Sequence, residues 1–98
     1  MNKKTHKQWL EDKDTIIKGM TIGILQAEKG SITLRDMAYG AISSLLEYDT
    51  HDRMYLELVD LCGSLEIQED GVNDLNDPVF IELKKIVTKH ARKYLQTI

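Results

Sequence analysis

The chain has 98 residues, 42% of them hydrophobic, and a formal net charge of −3 at pH 7. These values indicate a single domain over residues 1–98 with one modest core, and they exclude a disordered chain. No apolar run approaches the roughly 20 residues of a membrane-spanning helix, no apolar signal segment follows the basic start, and Cys62 has no second cysteine to pair with. We therefore expect a cytoplasmic protein without a membrane partner.

The first predicted helix covers residues 5–28. Its core-facing positions recur at steps of three and four residues, as in an amphipathic helix: Trp9, Lys13, Ile16, Met20, Ile24 and Ala27. Gly19, Gly23 and Ala27 form a row of small residues, which predicts that a neighbouring helix approaches closely. Gly30 is expected to end the helix, because glycine is the commonest residue just beyond a helix C-terminus.

The second predicted helix covers residues 33–48 and has the clearest start signal in the chain. Thr33 occupies the N-cap position, and Asp36 follows three residues later. Ile32 and Met37 stand on either side at the spacing of a hydrophobic staple. The spacing thus predicts both where this helix begins and how the preceding chain enters it.

A break and a restart define the last two predicted helices. The segment YDTHD at residues 48–52 favours a break before a third helix over residues 52–66. Since the break holds neither Gly nor Pro, the pattern leaves open whether helices two and three are separate or one kinked helix. Asp77 followed by Pro78 predicts the start of a fourth helix over residues 77–96.

Four amphipathic helices with short connections predict an all-α fold, a small up-down antiparallel four-helix bundle. In this arrangement the connection at residues 66–77 lies beside residues 29–33. The break at residues 48–52 lies at the opposite end, near both basic termini.

The connection EIQEDGVNDLND holds the most concentrated charge in the chain. It contains five carboxylates and no Lys or Arg: Glu66, Glu69, Asp70, Asp74 and Asp77. Residues 78–98, in contrast, hold five basic residues against one acid. Asp, Asn and Gly form turns readily, so the connection fits an ordinary solvated turn. The same carboxylates also fit a docking surface that attracts a basic protein partner.

Neither metal binding nor cofactor binding is expected from the sequence. An EF-hand that started at Asp70 would place Val72 at its third position, and one that started at Asp74 would place Pro78 at its fifth. The three histidines fall in different predicted elements: His6, His51 and His90.

Enzymatic and nucleic-acid-binding functions are also disfavoured. Ser43, Ser44 and Cys62 stand in no nucleophile motif, and a lone His90 on an apolar helix face is more typical of a packed residue than of a catalyst. We therefore expect no catalytic residues. The basic side chains of the last helix fit a solvated face, and no separate basic recognition helix follows the TLRDMAYG segment.

Two segments, ITLRDMAYGAISSLLEYD and LVDLCGSLEIQEDG, resemble small acidic helical immunity proteins of contact-dependent growth inhibition systems and, more loosely, the colicin-D immunity type. The shared features, over residues 16–75, are an I-[ST]-L-R-D helix start, an apolar second helix that ends in acids, and an L-E-x-x-x-D-G segment. The resemblance implies a bacterial, non-enzymatic protein that neutralises a basic, nuclease-type toxin. It also implies that the five carboxylates contact toxin Lys and Arg side chains.

A helical dimerisation or regulatory module without a toxin partner is the alternative function. In such a homodimer Gly19, Met20 and Gly23 would lie in the seam between subunits.

Overall fold

A computed structural model describes residues 3–68 and 73–96 of the chain, with side chains described for residues 3–68 and 73–92. Four helices follow one another in this part: α1 (His6–Glu28), α2 (Leu34–Leu45), α3 (Arg53–Glu66) and α4 (Pro78–Gln96). Each helix contacts the next, and α4 closes the ring by contacting α1. Glu28 pairs with Lys84 and Asp14 with His90, so α1 and α4 run antiparallel. No strand occurs in the described residues, and the predicted four-helix bundle is confirmed.

One apolar core fills the space between the four helices. Each helix contributes fully buried side chains: Trp9, Ile17, Leu34, Leu45, Leu58, Cys62, Leu65, Phe80, Leu83 and Val87. Burial of a side chain of this size contributes about 1.5–3 kcal/mol relative to exposure. Burial also raises the pKa of the Cys62 thiol to about 12, so this cysteine acts as a small hydrophobic residue.

The glycine after α1 ends that helix as the sequence predicts. Gly30 has a φ of +79°, a conformation that glycine adopts without steric strain. Its N–H donates to the carbonyl of Ala27 (3.1 Å), and the N–H of Ser31 donates to the carbonyl of Gln26 (2.9 Å). These two bonds form a Schellman motif, which satisfies carbonyls that the helix end would otherwise leave unpaired.

The second helix is shorter than predicted, since it ends at Leu45 rather than residue 48. The buried Tyr55 hydroxyl donates to the carbonyls of Leu45 (2.8 Å) and Tyr48 (3.1 Å). The N–H of Lys4 donates to the carbonyl of Glu47, and the N–H of Asp49 donates to the carbonyl of Lys4, both at 2.8 Å. Because these non-helical partners satisfy the backbone after Leu45, α2 and α3 are separate helices. The break lies beside the N-terminal segment, as the antiparallel arrangement predicted.

A polar and aromatic cluster joins this break to α1. The ring of Trp9 packs edge-on against the rings of Tyr48 (5.4 Å between centroids) and Tyr55 (5.2 Å). Its Nε1–H donates to Asp52 Oδ2 (3.2 Å), and the Tyr48 hydroxyl donates to Asp12 Oδ2 (2.7 Å). That hydrogen bond is the main reason that the pKa of Asp12 is lowered. Burial and the same bond raise the pKa of Tyr48 to about 12.

Replacing Tyr55 with Phe tests the hydroxyl that ends α2. The substitution leaves the carbonyl of Tyr48 without this donor, while that of Leu45 keeps the N–H of Tyr48 (3.1 Å), so we expect the free energy of unfolding to fall by about 1–3 kcal/mol. Tyr39→Phe is the matched control, because Tyr39 is 62% exposed and its loss should change stability by less than about 0.5 kcal/mol. Urea unfolding followed by circular dichroism measures both values, and equal stabilities for the two variants would contradict the assignment.

The raised pKa of Tyr48 predicts a loss of stability in alkaline solution. An unfolded tyrosine loses its proton near pH 10, whereas folded Tyr48 keeps it to about 12. Its contribution is therefore complete below pH 10 and disappears as the pH rises to about 12. Tyr48→Phe should make the decline of unfolding free energy over this range shallower than in the parent protein or in Tyr39→Phe. Urea unfolding at a series of pH values tests this, and parallel declines would contradict it.

Candidate protein-binding surface

The connection between α3 and α4 is folded against the starts of two other elements. The side-chain oxygen of Asn73 accepts a hydrogen bond from the N–H of Leu34, the first residue of α2 (3.0 Å). Gln68 Nε2 donates to Asp77 Oδ2 (2.6 Å) and so joins the end of α3 to the start of α4. The connection thus lies beside the turn between α1 and α2, where the antiparallel topology predicted it.

The five predicted site residues have different surroundings. Glu66 is the last residue of α3 and is partly exposed, Asp74 is exposed, and Asp77 is partly buried. Glu69 and Asp70 lie outside the described residues. The structure therefore brings Glu66, Asp74 and Asp77 to one end of the bundle.

Both carboxylate oxygens of Asp77 are used within the chain. Oδ1 accepts from the N–H of Val79 (2.8 Å) and caps α4, while Oδ2 accepts from Gln68. Because a carboxylate oxygen only accepts, the Gln68 amide must present its NH₂ group to Asp77. The buried Oε1 of Gln68 then has no hydrogen-bond partner among the described residues. Asp77 thus has a structural role at the start of α4.

Asp74 and Glu66 are freer to meet a partner. Asp74 Oδ1 accepts from the N–H of Asn76 (2.9 Å), and the Asp74 carbonyl accepts from the N–H of Asp77 (3.1 Å), which together form a turn. The Glu66 carboxylate makes no hydrogen bond or ion pair with any residue that the structure describes. Asp74 and Asp77 therefore take part in the turn and in the start of α4, whereas Glu66 takes part in neither.

An exposed isoleucine stands directly after Glu66, and the sequence reasoning missed it. Ile67 is 84% exposed, more than any other large hydrophobic side chain in the described part. Its position carried a signal, because α3 buries Leu58, Cys62 and Leu65 at steps of four and three residues. Two residues past Leu65, Ile67 falls on the opposite side of that face. We call Glu66, Ile67 and Asp74 the acidic tip.

Asp12 and Tyr48, in the polar cluster at the opposite end, both have pKa values that are shifted away from neutral pH. The pKa of Asp12 is shifted down and that of Tyr48 is shifted up, so both move away from the range that general catalysis requires. Trp9 and Tyr48 are buried, and their polar atoms hold the α2–α3 break in place. Within residues 3–68 and 73–96, no three His, Cys, Asp or Glu side chains converge as metal ligands. The helices described here also include none with the length and hydropathy of a bilayer span.

The row of small residues on α1 serves contacts inside the chain. A Cβ atom on Gly23 would lie 3.1 Å from Cγ of Met37, so glycine allows α2 to approach closely. Met20 and Ala27 are buried in the core, and only Gly19 faces open space. A groove of 440 Å³ remains between α1 and α2, but Met20 and Gly23 are already packed within one copy. The predicted seam between subunits at Gly19, Met20 and Gly23 stays a prediction.

Asp77→Ala tests the structural role of that carboxylate. The substitution removes the cap of α4 and the acceptor for Gln68, so we expect the free energy of unfolding to fall by about 1–2 kcal/mol. Asp77→Asn keeps an oxygen for the cap and should lose less, while Glu66→Ala should change stability by under about 0.5 kcal/mol. Urea unfolding ranks the three variants, and a loss for Glu66→Ala that matches Asp77→Ala would overturn the division of roles.

Comparison with known proteins assigns no family to this fold or surface. No family model matches the chain, no curated protein matches it significantly, and no solved structure matches it significantly. The functional argument therefore depends on the side chains themselves.

Proposed function

We propose that the protein is a non-enzymatic inhibitor that binds and neutralises a basic protein through its acidic tip. The partner class that we propose is a nuclease-type toxin domain of bacterial origin, which the resemblance to immunity proteins implies. The observation that carries the proposal is the exposure of Ile67 directly after Glu66, at the start of an acidic connection. An apolar anchor with charged neighbours has the composition of a protein-binding site.

The acidic tip combines two contributions to binding. Burying Ile67 in a partner's pocket would contribute about 1.5–3 kcal/mol, which is typical of a fully buried aliphatic side chain. Glu66 and Asp74 would pair with Lys or Arg side chains around that pocket, and such pairs mainly raise the association rate and the specificity. A cleft that binds nucleic acid offers these groups, since its cations normally contact phosphates.

Two hydrogen bonds fix the position of the acidic tip relative to the helices. Gln68 ties the end of α3 to Asp77, and Asn73 ties the connection to Leu34. These two bonds hold Glu66 and Asp74 at a fixed end of the bundle before a partner arrives. A preorganised surface loses less conformational entropy on binding than a mobile one.

Charge reversal at the tip tests the proposal. The double substitution Glu66→Lys and Asp74→Lys turns two attractive charges into repulsive ones, and we expect affinity for a basic partner to fall by roughly 30-fold or more. The control is Glu11→Lys with Asp49→Lys, which makes the same charge change at exposed positions of the opposite end. Circular dichroism confirms folding of both variants.

The measurement uses each immobilised protein to capture partners from a lysate of the source cells at low salt. Bound proteins are eluted with rising NaCl and identified by mass spectrometry, and purified candidates are assayed for nuclease activity with and without the protein. We expect one basic protein on the parent and control columns, absent from the tip variant, whose nuclease activity the parent inhibits. Equal retention by the tip variant, or a retained protein that the parent does not inhibit, would overturn the proposal.

A further inference from the structure

A groove with positive charge and an apolar floor lies on α4, next to the acidic tip. Its volume is 660 Å³, and it runs between the start of α4, the end of α1 and residues 75–76. We call it the basic groove and define it by Leu75, Ile81, Lys84, Lys85, Lys89 and Arg92. Phe80 forms its buried base, and Ile81 is 50% exposed.

The charge of the basic groove is only partly neutralised. Lys84 pairs with Glu28, the one acid among the described residues that line the groove. Lys85, Lys89 and Arg92 are exposed and form no salt bridge with any described residue. Residues 81, 85, 89 and 92 follow one another at steps of four and three, so they lie along one face of α4. The face therefore presents an apolar side chain next to a row of cations.

The residues of the basic groove indicate which kind of surface would bind in it. Exposed Ile81 and Leu75 favour an apolar side chain, and the cations favour carboxylates on either side of it. Nucleic acid fits less well, since binding of single strands uses exposed aromatic rings and Phe80 is only 2% exposed. The carboxylates of Asp74 and Glu28 close to the groove would also repel a phosphate backbone.

The chain itself carries a segment of the required kind. The acidic tip offers Ile67, nearly fully exposed, with Glu66 and Asp74 as its carboxylates. The tip adjoins the groove, because Gln68 is bonded to Asp77 and the neighbouring Leu75 and Asn76 line the groove. Two adjoining patches of opposite charge are self-complementary across a twofold axis, since each patch then faces the other patch of the partner.

We propose that two copies of the chain form a twofold dimer in which the acidic tip of each copy occupies the basic groove of the other. Ile67 packs against Ile81 and Leu75 of the second copy, and Glu66 and Asp74 face its Lys85, Lys89 and Arg92. The dimer covers the acidic tip, so self-association and binding of a basic partner exclude each other. The dimer itself does not depend on the proposed inhibitor function.

Complementary charge reversals test the dimer. The groove variant carries Lys85→Glu with Lys89→Glu, and the tip variant carries Glu66→Lys with Asp74→Lys. Each variant alone brings like charges together in both contacts, so its dimer dissociation constant should rise at least about tenfold over the parent. An equimolar mixture of the two variants restores attraction in both contacts and should dimerise. The control Lys7→Glu with Lys18→Glu changes two exposed lysines of α1 and should dimerise like the parent.

Sedimentation equilibrium at low and high NaCl measures these constants for the purified full chain. The expected result is a parent dimer that weakens with salt, two weakened variants and a restored mixture. A parent that stays monomeric at low salt overturns the proposal, and so does a groove variant that dimerises like the parent or a mixture that stays monomeric.

The groove variant also separates this proposal from the proposed function. Its acidic tip is intact, so it should capture the basic partner from lysate at least as well as the parent does. A monomeric parent that still captures and inhibits a nuclease would remove the dimer alone. A dimer with the expected charge dependence and no basic partner would remove the inhibitor function alone.

Discussion

The Asp52 carboxylate is the contact on which the arrangement of the helices depends. Its Oδ2 accepts from the first turn of α3, through the N–H of Tyr55, and from Nε1 of Trp9 on α1. The Tyr55 hydroxyl then donates to the carbonyl of Leu45, the last residue of α2, and to that of Tyr48 in the break. Three helices are therefore joined at one end by one carboxylate and one tyrosine. Since each helix reverses direction, this junction also decides which segments meet at the opposite end.

At that opposite end, some polar side chains cap helix starts and others remain available to a partner. Asn73 and Asp77 cap the starts of α2 and α4, where unpaired N–H groups need acceptors. Glu66 is the last residue of α3 and Ile67 follows it, and neither side chain caps a helix start. A concentration of acids near helix starts is thus partly explained by capping and by the helix dipole. The acidic residues that cap no helix, together with the exposed Ile67, distinguish this end from an ordinary turn.

Local spacing predicted most of the fold, because caps and apolar periodicity act within a few residues. Thr33 with Asp36, Asp77 with Pro78, and Gly30 each act on backbone groups within four positions, and the helix bounds near them agree with the prediction to within one residue. The predicted end of α2 at residue 48 was wrong because the carbonyls of Leu45 and Glu47 accept from Tyr55 and Lys4 instead of continuing the helix. Lys4 lies more than 40 positions away in sequence, and no local pattern indicates such a partner.

The candidate site was predictable in composition but not in geometry. The sequence indicated that residues 66–77 are acidic, yet only the fold separates the engaged carboxylate of Asp77 from the available one of Glu66. From the sequence, the basic face of α4 likewise fits an ordinary solvated helix. Only the fold places Leu75 and Ile81 beside its cations, at the border of the acidic tip. Salt screens the charges of both patches beyond the Debye length, about 10 Å at 0.1 M salt, so they act on a partner only at short range. Recognition at this end therefore depends on close contact, where the shape around Ile67 and the order of the charges decide which surface fits.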